Sequence, residues 1–138
     1  MIQHRSSFLG PVAAAVFAAI VAAAAPVYAE TELEACRRLA PQYDAETEVV
    51  LWDGTRCDLL SDTEAIEADW AAKWPDAIGQ ASWYSIVTGK RPAVLLLIRD
   101  AAAESRYIYR ATAVCERLDM RLYLEVSPAA PVEGRAGD

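Results

Sequence analysis

Apolar and polar residues alternate along this chain with three different periods. From about Leu9 to Ala25 there is no alternation at all, only an uncharged run dominated by Ala and Val. It is about as long as the hydrophobic core of a secretory signal and short of the roughly 20 residues a membrane span needs. His4 and Arg5 precede it, Pro26 breaks it, and Val27-Tyr28-Ala29 offers the small residues a signal peptidase requires. Residues 1–29 are therefore expected to be a cleaved signal peptide, with Glu30 as the first mature residue. No Cys stands at position 30, so lipid attachment is not expected. The Ala-rich core suggests a bacterial exporter, placing the product in the periplasm or outside the cell.

Thr31-Glu32-Leu33-Glu34 has the pattern of a capping box, so a short helix is expected from Thr31 to about Ala40, where Pro41 stops it. The period then falls to two. Glu48–Trp52 and Thr55–Leu60 are strand candidates joined at Asp53-Gly54, a strong hairpin signal. Ser61–Glu64 turns the chain, and Ala65–Asp69 returns as a third strand. A period of 3.6 takes over from Trp74 to Thr88, with Pro75 tolerated in the first turn and Gly89 ending the helix. Pro92–Ile98 is continuously apolar, as suits a central strand covered on both faces. A helix over Glu104–Leu118 and a strand over Met120–Val126 follow, the latter placing Met120, Leu122, Leu124 and Val126 on one face. These elements predict an α/β fold with a mixed five-stranded sheet. An antiparallel three-strand meander leads into two strand–helix–strand crossovers, and helices flank the sheet. The organisation expected is a signal over 1–29, one domain over 30–126 and a loose Pro-, Ala- and Gly-rich tail over 127–138.

Composition narrows the chemistry. The chain of 138 residues carries a net charge of −7, and losing Arg5 with the signal leaves about −8. An acidic surface counts against tight non-specific binding to nucleic acid, because neutralising phosphate needs Lys and Arg. The single His of the sequence is His4. The mature domain thus has no His-based triad and no His metal ligand. Cys36, Cys57 and Cys115 show no C-x-x-C spacing, which removes the usual redox and zinc patterns. In an oxidising compartment one disulfide is expected from three pairings, Cys36–Cys57 being favoured because it closes a modest loop. The alternative is three small buried hydrophobes.

If the second and third strands form a hairpin around Asp62-Thr63, Asp58 lies opposite Glu67, and directly opposed residues share a face. Asp69, two residues on, shares it too. Three converging carboxylates repel one another, and the usual relief is a divalent cation or a raised pKa. The plainer alternative is a solvated strand face. On the following helix Gln80 and Tyr84 stack four apart, and Lys73, seven before Gln80, extends the stripe. Trp70, Trp74, Ile78 and Trp83 are expected to fill or flank the core rather than bind bases.

Gly54-Thr-Arg-Cys-Asp58-Leu-Leu, Ala65-Ile-Glu67-Ala-Asp69 and Gln80-Ala-Ser-Trp-Tyr84, in this order, resemble the PD-(D/E)XK nuclease superfamily. The likeness spans about residues 31–126. It implies the restriction endonuclease-like fold, with Asp58 as the lone acid of the second strand and Glu67 as the acid of the (D/E)-x-K triplet. Gln80 and Tyr84 are similar to the Q-x-x-x-Y motif of RecB-type members. The chain is closer still to a group of small exported bacterial proteins of unassigned function with an A-I-E-x-D-x-x-x-K-W…G-Q stretch. The resemblance implies Mg²⁺ or Mn²⁺ at Asp58 and Glu67, helped by the Ala68 carbonyl, and hydrolysis of a nucleic acid phosphodiester. One departure stands out: Asp69 replaces the triplet's Lys, which in the family positions the attacking water and offsets charge on the phosphate. Lys73 is the nearest substitute. Glu34 matches the carboxylate that some members carry on the first helix, although its capping-box role competes. The alternative function is a catalytically silent nuclease-like domain, exported as a binding or interaction protein.

Overall fold

The computed structural model describes residues 29–128; all but the last residue of the signal expected over 1–29, and the tail expected over 127–138 from residue 129 onward, lie outside that range. Helix α1 (Glu32–Leu39) starts at a complete capping box, in which Thr31 Oγ1 accepts from the Glu34 N–H while Glu34 accepts from the Thr31 N–H. A 3-10 turn over Ala40–Tyr43 carries Pro41 past its end. Strands β1 (Glu46–Val50), β2 (Arg56–Leu60) and β3 (Glu64–Trp70) then form an antiparallel meander. Helix α2 (Trp74–Thr88), strand β4 (Arg91–Ile98), helix α3 (Ser105–Arg117) and strand β5 (Arg121–Val126) complete the domain. The sheet order is β1-β2-β3-β4-β5, with β4 parallel to both β3 and β5. The α/β architecture and mixed five-stranded sheet agree with the sequence pattern.

The turns follow from their residues. At the β1–β2 tip Gly54 N–H donates to the Leu51 carbonyl and Leu51 N–H to that of Thr55. Gly54 adopts φ +85°, a conformation that is cheap only without a Cβ. The tip is therefore a three-residue loop, Trp52-Asp53-Gly54, rather than the two-residue turn expected of Asp53-Gly54 alone. Gly89, at φ +69°, closes α2 with its N–H on the Ser85 carbonyl.

The sheet is covered on both faces. On one, Ala35, Cys36 and Leu39 of α1 pack on Leu59, Ile66, Leu95 and Leu97. On the other, Ala77, Ile78 and Ala81 of α2 and Ala111 and Cys115 of α3 pack on Val94 and Leu96. Each fully buried Leu or Ile stabilises the fold by about 1.5–3 kcal/mol. This double coverage explains why β4 reads as an unbroken apolar run. The β5 pattern is only half used: Met120 and Leu122 join the core, whereas Leu124 and Val126 stay exposed. Here β5 is an edge strand reaching beyond the helices. The expected disulfide is absent. All three cysteines are free and buried, with Cys36 and Cys57 in different core clusters and the Cys57 thiol donating to the Leu59 carbonyl at 3.3 Å. The reading as small buried hydrophobes is the one the fold adopts.

Candidate functional site

Strands β2 and β3 are paired through Leu59↔Ile66 and Leu60↔Ala65, and the ladder ends one step short of Asp58 and Glu67. At Asp58 the ladder is interrupted in a useful way. Its Oδ2 accepts the Ala68 N–H at 2.9 Å, so a side chain takes the backbone donor and the two strands begin to fork. Ala68 thus meets Asp58 through its N–H. The fork opens toward the C-terminal end of β3, the end at which parallel-sheet proteins characteristically bind ligands.

A cavity of about 730 Å³ occupies this fork, and Asp58, Glu67, Asp69, Lys73, Gln80 and Tyr84 all line it. These six residues expected from the sequence are therefore brought to one place. Glu67 and Asp69 are not on a solvated face: β3 is buried along its whole length, between two strands and under helices. Lys73 ends a 3-10 turn that precedes α2 and still reaches the stripe of Gln80 and Tyr84.

Glu67 is 5 % exposed, and its Oε2 has no hydrogen-bond partner. Burial, followed by the charge of Asp58, moves its pKa from an ordinary 4.5 to about 9. Burial and the Asp58 charge thus favour its protonated form, while the pKa of Asp58 is itself raised by burial and held back by the Ala68 N–H. Burial also carries Asp69 up to about 6, against the opposing pull of the Trp70 N–H. The Tyr84 hydroxyl donates to Gln80 Oε1 at 3.2 Å. The cation is already engaged: Lys73 Nζ lies 3.4 Å from both Asp69 Oδ1 and Glu32 Oε1. It sits at the Asp69 side of the cavity rather than between Asp58 and Glu67.

Several neighbours escape the sequence reading. Glu32, not Glu34, is the α1 carboxylate at the cavity; Glu34 is spent on its cap. Arg56 also lines the cavity and pairs with Glu48 at 3.3 Å. Its signal was present, since Arg56 stands two residues before Asp58 on one strand. Glu48 sits opposite Asp58 across β1–β2 and adopts φ +56°, a costly conformation for a residue with a Cβ. Trp83, expected in or beside the core, is 47 % exposed, whereas Trp70 is buried and Trp74 packs partly into the core. The outward turn of Trp83 places it near the β1–β2 tip, where its indole N–H donates to Asp53 at 2.8 Å.

Comparison with family models, curated proteins and solved structures gives no match to this chain. Among the described residues, no group of three or more His, Cys, Asp or Glu is arranged to hold a metal ion, and no helix is long and apolar enough to cross a membrane.

Proposed function

We propose that the protein is an exported, divalent-metal-dependent phosphodiesterase of nucleic acid, built on a restriction endonuclease-like fold. One observation carries this reading: a buried carboxylate oxygen, Glu67 Oε2, lies without a partner in a cavity shared with Asp58 and Asp69. A buried polar atom left unpaired costs about 1–3 kcal/mol. A ligand that uses it explains its persistence.

The donor set suits Mg²⁺ or Mn²⁺. Such ions bind through one or two carboxylates and complete their shell with water and phosphate oxygens, so the absence of a three-residue cluster does not count against them. Asp58 and Glu67 would hold the ion, which when bound offsets charge on a phosphate and lowers the pKa of a water. The Ala68 N–H fixes the Asp58 carboxylate. Lys73, bridging Asp69 and Glu32 at the cavity, would turn from these carboxylates to a phosphate oxygen, the role that Asp69 cannot take. Export to the periplasm or beyond rests on the uncharged run and the Val27-Tyr28-Ala29 site of the sequence.

A second reading has its own support. Lys73 is held by two carboxylates, and the acidic Asp69 stands in the triplet's last position, as suits a domain that keeps the scaffold without the chemistry. A thermal-shift titration with Mn²⁺, paired with a gel assay of single- and double-stranded nucleic acid, separates the two. The enzyme reading expects a concentration-dependent stabilisation and metal-dependent cleavage, both lost in Asp58→Ala. A wild-type protein indifferent to Mn²⁺ and without cleavage leaves the silent binding domain.

A further inference from the structure

Trp52 is 84 % exposed, an unusual state for the side chain with the largest apolar surface. It is nevertheless held in place. Its indole N–H donates to the Val87 carbonyl in the last turn of α2 at 3.0 Å. About one turn earlier on that same helix, Trp83 reaches back with its N–H to Asp53 at 2.8 Å. The β1–β2 tip and α2 are thus joined by two reciprocal indole bonds. Both N–H groups are satisfied within the protein, so neither ring needs a polar partner from outside it. Val50, 69 % exposed, adds to this apolar surface and also lines the carboxylate cavity with Gly54 and Thr55. The aromatic surface and the cavity are therefore continuous through one short loop.

We propose that Trp52 and Trp83 form a stacking platform for unpaired nucleobases, which makes the adjoining site selective for single-stranded nucleic acid. This inference rests on the phosphodiesterase reading for what happens at the carboxylates, and names the substrate class. Three features support it. Rings with spent N–H groups recognise a partner by stacking, and only unpaired bases have free faces. Base–aromatic stacking contributes about 1–3 kcal/mol per base, enough to hold a strand on a protein too acidic to do so by phosphate contacts. Arg56 and Lys73, the two cations at the cavity, are each already paired with carboxylates, Glu48 for the first and Asp69 and Glu32 for the second, which leaves stacking rather than charge to hold a strand running from the rings to Asp58.

The test uses the full mature domain and a fluorescein-labelled decathymidylate, followed by anisotropy with and without Mn²⁺, with the oligonucleotide checked for cleavage afterwards. Trp52→Ala is expected to weaken binding about five- to a hundredfold, and Trp52→Phe, which keeps a ring but not the N–H, to recover most of it. Unchanged melting of both variants separates lost stacking from lost folding. The wild type should prefer the single strand to a matching duplex. With these two cations already paired, its affinity should fall with salt at a logarithmic slope no steeper than about −1.4. Equal binding by wild type and Trp52→Ala, no binding by wild type, or preference for duplex overturns the proposal. So does a concentration-dependent dimer abolished by Trp52→Ala without oligonucleotide binding, which would make the surface a contact between copies. Indole-dependent binding without cleavage in any metal sinks the phosphodiesterase reading and leaves the platform. Cleavage with indole-independent binding does the opposite.

Discussion

Replacing Glu67 with Gln should stabilise the metal-free protein at neutral pH, although it alters the most deeply placed residue of the site. In the fold Glu67 holds its proton up to about pH 9, while the unfolded chain loses it near 4.5. Between those values the native state binds more protons, so stability falls as pH rises. The stabilisation is complete below about 4.5 and is lost progressively until the folded group ionises near 9. At pH 7 the wild type must keep a proton that the unfolded chain has released, at roughly 1.36 kcal/mol for each unit above 4.5, or about 3 kcal/mol. Glu67→Gln has no proton to hold and can still donate a hydrogen bond to Asp58. The two proteins should therefore be equally stable near pH 4.5, and the variant should lead by up to about 3 kcal/mol at pH 7, about 12–24 °C in Tm for a domain of this size. Urea unfolding of both proteins at pH 4.5, 6, 7 and 8 without metal measures this directly. Mn²⁺ should narrow the gap, because a metal needs the ionised carboxylate and competes with the proton. Parallel stability curves for the two proteins, or a wild type that gains on the variant as pH rises, would refute the reasoning.

Lys73→Ala should preserve the Mn²⁺-dependent thermal shift but lower turnover of an oligonucleotide, since Lys73 contacts Asp69 and Glu32 and not the Asp58–Glu67 pair. Thr31→Ala breaks the capping box of α1 and should cost about 1 kcal/mol in urea unfolding, with no change in metal response. Leu95→Ala, at a fully buried position of the central β4, should cost about 2–5 kcal/mol by the same method through the cavity it leaves. Intact-mass measurement of protein collected after export should give a chain starting at Glu30; retention of residues 9–25 would overturn the signal reading.

Local patterns in the sequence determined the element order, because each rests on neighbours a few residues apart. The Thr31–Glu34 capping box, Pro75 and Gly89 around α2, and the apolar run of β4 all name their own conformations. The face shared by Asp58, Glu67 and Asp69 followed as well, from strand parity and a hairpin turn at Asp62-Thr63. What the pattern could not supply was environment. Whether those carboxylates were solvated or buried depended on α1 and α2 closing over β3, and that burial turns an ordinary Glu67 into a proton-holding group. The choice of Glu32 over Glu34 depended on how α1 crosses the sheet, a matter of packing that no local spacing encodes. Trp52 and Trp83 are the sharpest case. Both are residues that sequence alone assigns to strand and core, yet two hydrogen bonds between segments some thirty residues apart hold their rings at the surface. Periodicity records which residues can share a face; only the tertiary structure decides what, if anything, covers it.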